Sequence, residues 1–534
     1  MTPQEIDRLR SIDVRIAELC REWGLLETEI IFQVVPAQRV LEGMSYEYPE
    51  NFSYWQFGRD YEKNRTIYEH TGTGIPYEQV WNLDPPIAFL VETNPLVLNI
   101  LIDAHVRAHV DFFLRNKYVR HARDTRDIAN EAYAAAQRFQ KYEGIHGIDE
   151  LEKTMDAVDS FRWHQPLDML MDEDIQEEEL REDLITRERA KLEREKDANA
   201  EFANPLTDKE IKEIEERLRL LSIKTPPRPM YDILLYILRH SKKPLRAWRE
   251  DIVSVMRDQS RHLYPMGRTK LLDEGWATYW HTRIMRRLFE ENLLTAEEHG
   301  IFNYYHAGVC RENKYSLNWY RVGPALYEYI EERWNKGQFG KEYDECEDPH
   351  TKAYWDTHIN LGSQKIFEVT THYTDRMAVE HFFTDEFIHR QKLYVYQQEI
   401  ASNGEIVDKI VEDRPAIVRE ILKNSWTLYG TPIICVEDGD FNKSGELLLS
   451  HKFAGNRIDV LPYLELQPPS WRERTLEHAF YLWGKTVHLN TFEFNDAATK
   501  SIRLVRYVYN GQAHRRDFIK EFILPPDGRI GDLV

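Results

Sequence analysis

The stretch NPLVLNILIDAHVRAHVDFF, residues 94–113, carries the pattern on which the reading turns. Asn94-Pro95 is a helix start, with Asn as the N-cap and Pro at the first helical position. It predicts a helix running to about Asn116. His105 and His109 stand at i and i+4, so they project from one face of that helix. Leu101, Ala108 and Phe112 extend the face, and the pair is expected to point inward. Two inward imidazoles at this spacing can hold Zn²⁺ in a helical metalloenzyme. They can equally be core histidines hydrogen-bonded to carboxylates or carbonyls, and with 20 histidines in the chain such a pair arises easily by chance. Asp103 and Asp111 bracket the pair and could orient either ring.

A second stretch, GRTKLLDEGWATYWHTRIMRRLF (267–289), supplies a carboxylate. Leu272, Trp276, Tyr279 and Ile284 predict a buried helix, and Glu274, Thr278, His281 and Met285 fall on one stripe of it. A glutamate inside an apolar helix needs a partner, because burying an unpaired charge is costly. A metal, an arginine or a helix N-terminus would serve. EGWATYWH within this stretch resembles the ligand helix of gluzincin-type metallopeptidases, and the resemblance implies that His105, His109 and Glu274 make a His₂Glu set that leaves a coordination position open for water. A divalent metal is the expected cofactor, with zinc first, although the same donors suit manganese or non-haem iron. His281 lies two turns, ~10.5 Å, beyond Glu274 along the helix axis. It is expected to contact substrate or brace a ligand. In IFNYYHAGVCREN (301–313), His306 sits among aromatics and is a candidate fourth ligand, a substrate donor or a packed histidine.

In gluzincin-type metallopeptidases one helix gives two histidines and a second, which EGWATYWH (274–281) resembles, gives a glutamate. The resemblance implies a gluzincin-like helix pair. It also exposes a departure. Gluzincins read HExxH, and the glutamate after the first histidine is the general base. Here Val106 occupies that position. Asp103, Asp111, Asp273 and Glu78 are the carboxylates that could take the role. A base must reach its water at ~2.6–3.2 Å, so geometry decides among them.

Around these helices the chain reads as α+β. A large, mainly helical N-terminal domain is expected over 1–345, with an acidic insertion at about 168–225. A linker (346–370) and a smaller α+β C-terminal domain (371–534) follow. Ile12, Ile16, Leu19 and Trp23 form the stripe of an opening helix. Residues 45–82, rich in aromatics and glycine, are expected to be irregular, and a further helix is expected near 122–142. The run DEDIQEEELREDLITRERAKLEREKDANAE (172–201) is nearly all charge and predicts a solvated helix or a flexible insertion. Towards the C-terminus, KLYVYQQ, PIICVEDG, GELLLSHKF, KTVHLNTF and SIRLVRYVY read as strands, with helices AIVREILKN and RERTLEHAFYLWG among them. DGDFNKSGE (438–446) is a hairpin turn.

Composition narrows the function. The 534 residues are 42% hydrophobic and 30% charged, with 29 Tyr, 23 Phe and 13 Trp, which fits a globular protein with an aromatic-rich core. The net charge of −21 and the lack of a basic cluster argue against nucleic acid and anionic membranes as partners. Cys20, Cys310, Cys346 and Cys435 form no CxxC pair, so neither a disulfide framework nor a cysteine-based zinc ribbon is expected. The charged, amphipathic start is unlike a secretory signal, and no stretch approaches the ~20 apolar residues of a membrane span. A reduced, cytoplasmic protein is expected.

Several ordered blocks resemble the SpoVR (stage V sporulation protein R) family. These are ELCREWGLLETEIIFQVVP near the start, GTGIPYEQVWNLDPPIAFLVETNP (72–95), HVRAHVDFFLRN (105–116) and PMGRTKLLDEGWATYWH (265–281). The strings LLLSHKF and LWGKTVHLNT add to them. Asp273 stands where that family usually has Asn, and Met266 where it usually has Gln. The resemblance implies a role in spore-cortex formation, on peptidoglycan-related substrate, or in stress-related envelope processes. It also implies a partner, because such proteins are often encoded beside a serine protein kinase of the PrkA type. Two functions are therefore expected to compete: a metal-dependent hydrolase of the amidase or peptidase type, and a non-catalytic scaffold or regulator working with that kinase.

Overall fold

The computed structural model describes all residues except 49, 72–77, 125–126, 167–168, 171–175, 198–206, 401–403, 427–432, 453–468, 497–500 and 524–534. Helices dominate, with small sheets among them, so the protein is a mainly helical α+β fold. The chain divides into two compact units, each assembled from two separated segments. Met1–Gly144 joins His262–Gly430, and Ile145–Arg261 joins Thr431–Val534.

At the centre of the first unit the helix Leu96–Arg115 packs on the helix Lys270–Glu290. We call them the histidine helix and the glutamate helix. The first is buried nearly all round, its apolar residues together with Asn99, Asp103, His105, His109 and Asp111, so those polar groups need partners inside the fold. The helix Pro3–Glu22 lies against it with Ile12, Ile16 and Leu19 buried, and Thr2 and Glu5 form a capping box at its start. On its other side the glutamate helix meets the helix Trp319–Lys336. Here Gly275 and Gly323 let two backbones touch. A Cβ on Gly275 would stand 2.6 Å from Gly323 Cα, a distance that real side chains do not occupy. The glutamate helix is also capped from a distance. The backbone N–H groups of Leu271 and Leu272 donate to the two carboxylate oxygens of Asp375, at 2.8 and 3.0 Å. Burial pushes the Asp375 carboxyl up to about 7, although those two N–H groups favour its charged form.

A three-stranded sheet completes this unit. Ile31–Val35 runs parallel to Ile87–Val91, which pairs antiparallel with Glu78–Trp81. Val395–Ile400 and Ile406–Glu412 form a separate two-stranded ribbon.

The second unit holds a five-stranded sheet. Its order is His514–Ile523, Ser501–Tyr509, Val487–Asp496, Glu446–Lys452, Ile433–Phe441, and only the pair Glu446–Lys452 with Val487–Asp496 is parallel. Val395–Ile400, Ile433–Phe441, Glu446–Lys452, Val487–Asp496 and Ser501–Tyr509 fall on the runs read as strands in the sequence, whereas Ile406–Glu412 and His514–Ile523 do not. The hairpin at 438–446 turns through Asn442, Lys443 and Gly445, all with positive φ. The helix Pro469–Trp483 covers the sheet, burying Leu476, Ala479, Leu482 and Trp483. The charged run forms the helix Glu177–Asp197, which pairs with Asp208–Ile223. Its charges are matched within the helix by Glu177–Arg181 at 2.6 Å and Asp183–Arg187 at 2.8 Å.

Three local expectations change. The region read as irregular contains the helix Trp55–Thr71. Its aromatics pack on distant partners, as in Phe52 against Phe139, so tertiary contact decides what local composition obscured. The N-cap of the histidine helix is Pro95, and the Asn94 amide instead donates to Asn99 Oδ1 at 3.2 Å. The helix expected near 122–142 begins at Ile128 and follows a short helix, Lys117–Asp124. Among the described residues no helix is long and apolar enough to cross a membrane.

Candidate metal centre

The packing of the two central helices brings His105, His109 and Glu274 together. One ligand atom of each lies within 4.8 Å of the others, and all three side chains are buried. The Nε2 atoms of His105 and His109 each stand 3.4 Å from Glu274 Oε2. For a tetrahedral ion bound at roughly 2.0–2.1 Å, neighbouring donors stand roughly 3.3–3.4 Å apart. These three side chains therefore form a possible metal site with the spacing such an ion needs.

The opposite edges of the two rings are also engaged. His109 Nδ1 lies 2.6 Å from Asp273 Oδ1, and His105 Nδ1 lies 2.7 Å from His281 Nδ1. His281 Nε2 is in turn 3.1 Å from His306 Nδ1. This order sets the protons. For both Nε2 atoms to act as ligands, His109 must donate its Nδ1–H to Asp273, and His105 its Nδ1–H to His281. His281 then carries its proton on Nε2 and donates to His306. A carboxylate behind one ring and an acceptor nitrogen behind the other is the bracing that ligand histidines require.

The electrostatics hold opposite charges together at this point. Burial opposes the charged form of His109, but Asp273 and Glu274 outweigh it and hold the imidazole well above its ordinary range. Burial likewise opposes the Glu274 carboxylate, and Lys270 and His109 outweigh it, so that Glu274 stays charged. The Lys270 ammonium donates to Glu274 Oε1 from one turn earlier. Burial first, and then the neighbouring imidazoles of His105 and His306, hold His281 well below the ordinary range, which keeps it neutral. The donor set thus suits a divalent ion: one carboxylate, two braced imidazoles, and positive charge already drawn to the spot.

A cavity of about 470 Å³ opens on these groups. Asp273, His281 and His306 line it, together with the three candidate ligands. Asp103 and Asp111 take partners elsewhere. Asp103 accepts from Arg107 Nε at 3.1 Å, beside Asp13 and Glu27. Asp111 accepts from Trp276 Nε1 and Leu26 N–H, both at 2.7 Å, and from Arg115 at 2.8 Å. Glu78 opens the strand that pairs with Ile87–Val91, and its side chain lies outside the described residues. The sequence reading passed over Lys270, Gln79 and Tyr320, which also line the cavity. Only Lys270 left a trace in the sequence, its i,i+4 spacing to Glu274.

The family description "SpoVR like protein" matches residues 3–431. A curated relative, "Uncharacterized protein YcgB" of Escherichia coli (strain K12), is 25% identical over 320 residues, covering 58% of this chain and 60% of that protein. The matched part thus spans less than two thirds of the relative's length. No solved structure matches the chain.

Proposed function

The chain belongs to the SpoVR family, and from that premise we propose that it is a zinc-dependent hydrolase of the amidase or peptidase type, with the ion held by His105, His109 and Glu274. The observation that carries this reading is the 3.4 Å spacing of both imidazole Nε2 atoms from one Glu274 oxygen. Zinc bound there supplies a Lewis acid for a carbonyl and lowers the pKa of a water. The chain's own groups do the rest. Asp273 and His281 fix the two imidazoles, Lys270 keeps Glu274 ionised, and the apolar cavity wall limits water. Asp273 and His281 are the acid–base candidates that reach the cavity. The resemblance to SpoVR-like proteins supports a peptidoglycan-related amide as substrate, in spore-cortex or stress-related envelope processes. Four free cysteines support a reduced, cytoplasmic setting.

Val106 favours a second reading, in which the protein is a scaffold or regulator of a PrkA-type serine protein kinase. Zinc-loaded protein incubated with soluble peptidoglycan fragments separates the two. New amine or carboxyl termini, formed by wild type and absent with His109→Ala, support the hydrolase. No cleavage by zinc-replete wild type, together with recovery of the kinase by both proteins in a pull-down, would replace it with the scaffold.

A further inference from the structure

One turn beyond Glu274 on the same helix stands Thr278, which lines the cavity and is 1% exposed. Its Oγ1 is buried and has no hydrogen-bond partner. A threonine within a helix can turn its hydroxyl back to the carbonyl one turn earlier, and Thr282 does so to Thr278 O at 2.8 Å. Thr278 itself makes no such bond. A buried hydroxyl left unmatched is costly unless something enters to meet it. A second unmatched atom belongs to another residue of the cavity lining. Gln79 Oε1, on the strand Glu78–Trp81, is buried without a partner and rests against Gly43. Leu98, Leu101, Phe113, Met266 and Val309 make much of the remaining lining apolar.

We infer that Thr278 is a positioning residue for the ligand of this cavity, and that the ligand is a secondary amide bearing an apolar side chain. A hydroxyl can donate to a carbonyl, and the Gln79 oxygen can accept from an N–H, so the two unmatched atoms together match the two polar atoms of an amide. The apolar wall takes the side chain. The inference rests on reading this cavity as the substrate site.

The test uses the full chain and N-acetyl-leucine amide, titrated calorimetrically into metal-free and zinc-loaded protein, with zinc content measured throughout. Thr278→Val keeps the shape and removes the hydroxyl, whereas Thr278→Ser keeps the hydroxyl. The expected result is binding about tenfold weaker in Thr278→Val, and within about threefold of wild type in Thr278→Ser. The melting temperature of ligand-free Thr278→Val should be equal to or above that of wild type, because the variant loses no bond. Equal affinity in Thr278→Val overturns the inference, as does a lowered melting temperature in the ligand-free variant or no binding by wild type. If zinc is not taken up, or changes no affinity, the metal reading fails. The wild-type to Thr278→Val ratio in metal-free protein still decides the role of Thr278.

Discussion

Two rows of buried and half-buried polar side chains run along the histidine helix, and they end in different ways. The back row, Asp103, Arg107, Asp111 and Arg115, is closed on itself. Arg107 meets Asp103, Asp13 and Glu27, and Asp111 receives an indole N–H, a backbone N–H and a guanidinium. Burial raises the pKa of both aspartates, and their donors resist the shift. The front row, His105 and His109, is braced from behind by His281 and Asp273, while two Nε2 atoms converge with Glu274 on one point. Burial of charge is common to both rows. What distinguishes a candidate site is where the donor atoms are aimed once the internal hydrogen bonds have been drawn.

Breaking the back row should damage the fold and spare the site. Asp111→Ala leaves the Trp276 indole N–H and the Leu26 N–H without an acceptor and Arg115 without its carboxylate. We expect a loss of about 3–5 kcal/mol in urea unfolding, with zinc binding retained in the folded fraction. A loss below about 1 kcal/mol would mean that the network is dispensable.

Weakening the bracing of the front row should do the reverse. Asp273→Asn keeps an acceptor for His109 Nδ1–H but removes its charge, and zinc affinity should fall about 10–100-fold while the unfolding midpoint stays nearly constant. Competition with a chromophoric chelator measures it. Unchanged affinity would remove Asp273 from the site.

The sequence made the front row legible and misassigned its support. His105 and His109 are visible because a period of 3.6 places i and i+4 on one face, and Glu274 because a carboxylate inside an apolar helix needs a partner. Five strands between Val395 and Tyr509 are visible as β-rich runs between turn residues, but Ile406–Glu412 is not. Asp273 is visible as a candidate base, but not as the carboxylate that meets His109. Asp103 and Asp111 are near it in sequence, yet helical geometry turns them to the other face, and Asp273 arrives from a helix more than a hundred residues away. The cap on the glutamate helix has the same origin, since Asp375 reaches Leu271 and Leu272 through tertiary packing. Which segments share a unit is likewise a long-range property that periodicity does not carry.

That cap provides the smallest of the expected effects. The Asp375 carboxyl is raised to about 7 in the folded protein, against an ordinary 3.8. The folded state therefore holds this proton more tightly than the unfolded state. The stabilisation is complete at pH values below the ordinary carboxylate pKa and is lost progressively as pH rises through about 7. Between pH 6 and 8 wild type should lose roughly 1 kcal/mol relative to Asp375→Asn, read as the difference between two pH series of urea unfolding. Parallel series would show that Asp375 titrates normally.

The central claim is that the front row holds an ion and the back row does not. Elemental analysis of zinc-loaded, dialysed protein tests it directly, for wild type, His109→Ala and Asp111→Ala. The account predicts about one zinc per chain in wild type and Asp111→Ala, and below about 0.1 in His109→Ala. Zinc retained by His109→Ala, or absent from wild type, would contradict it.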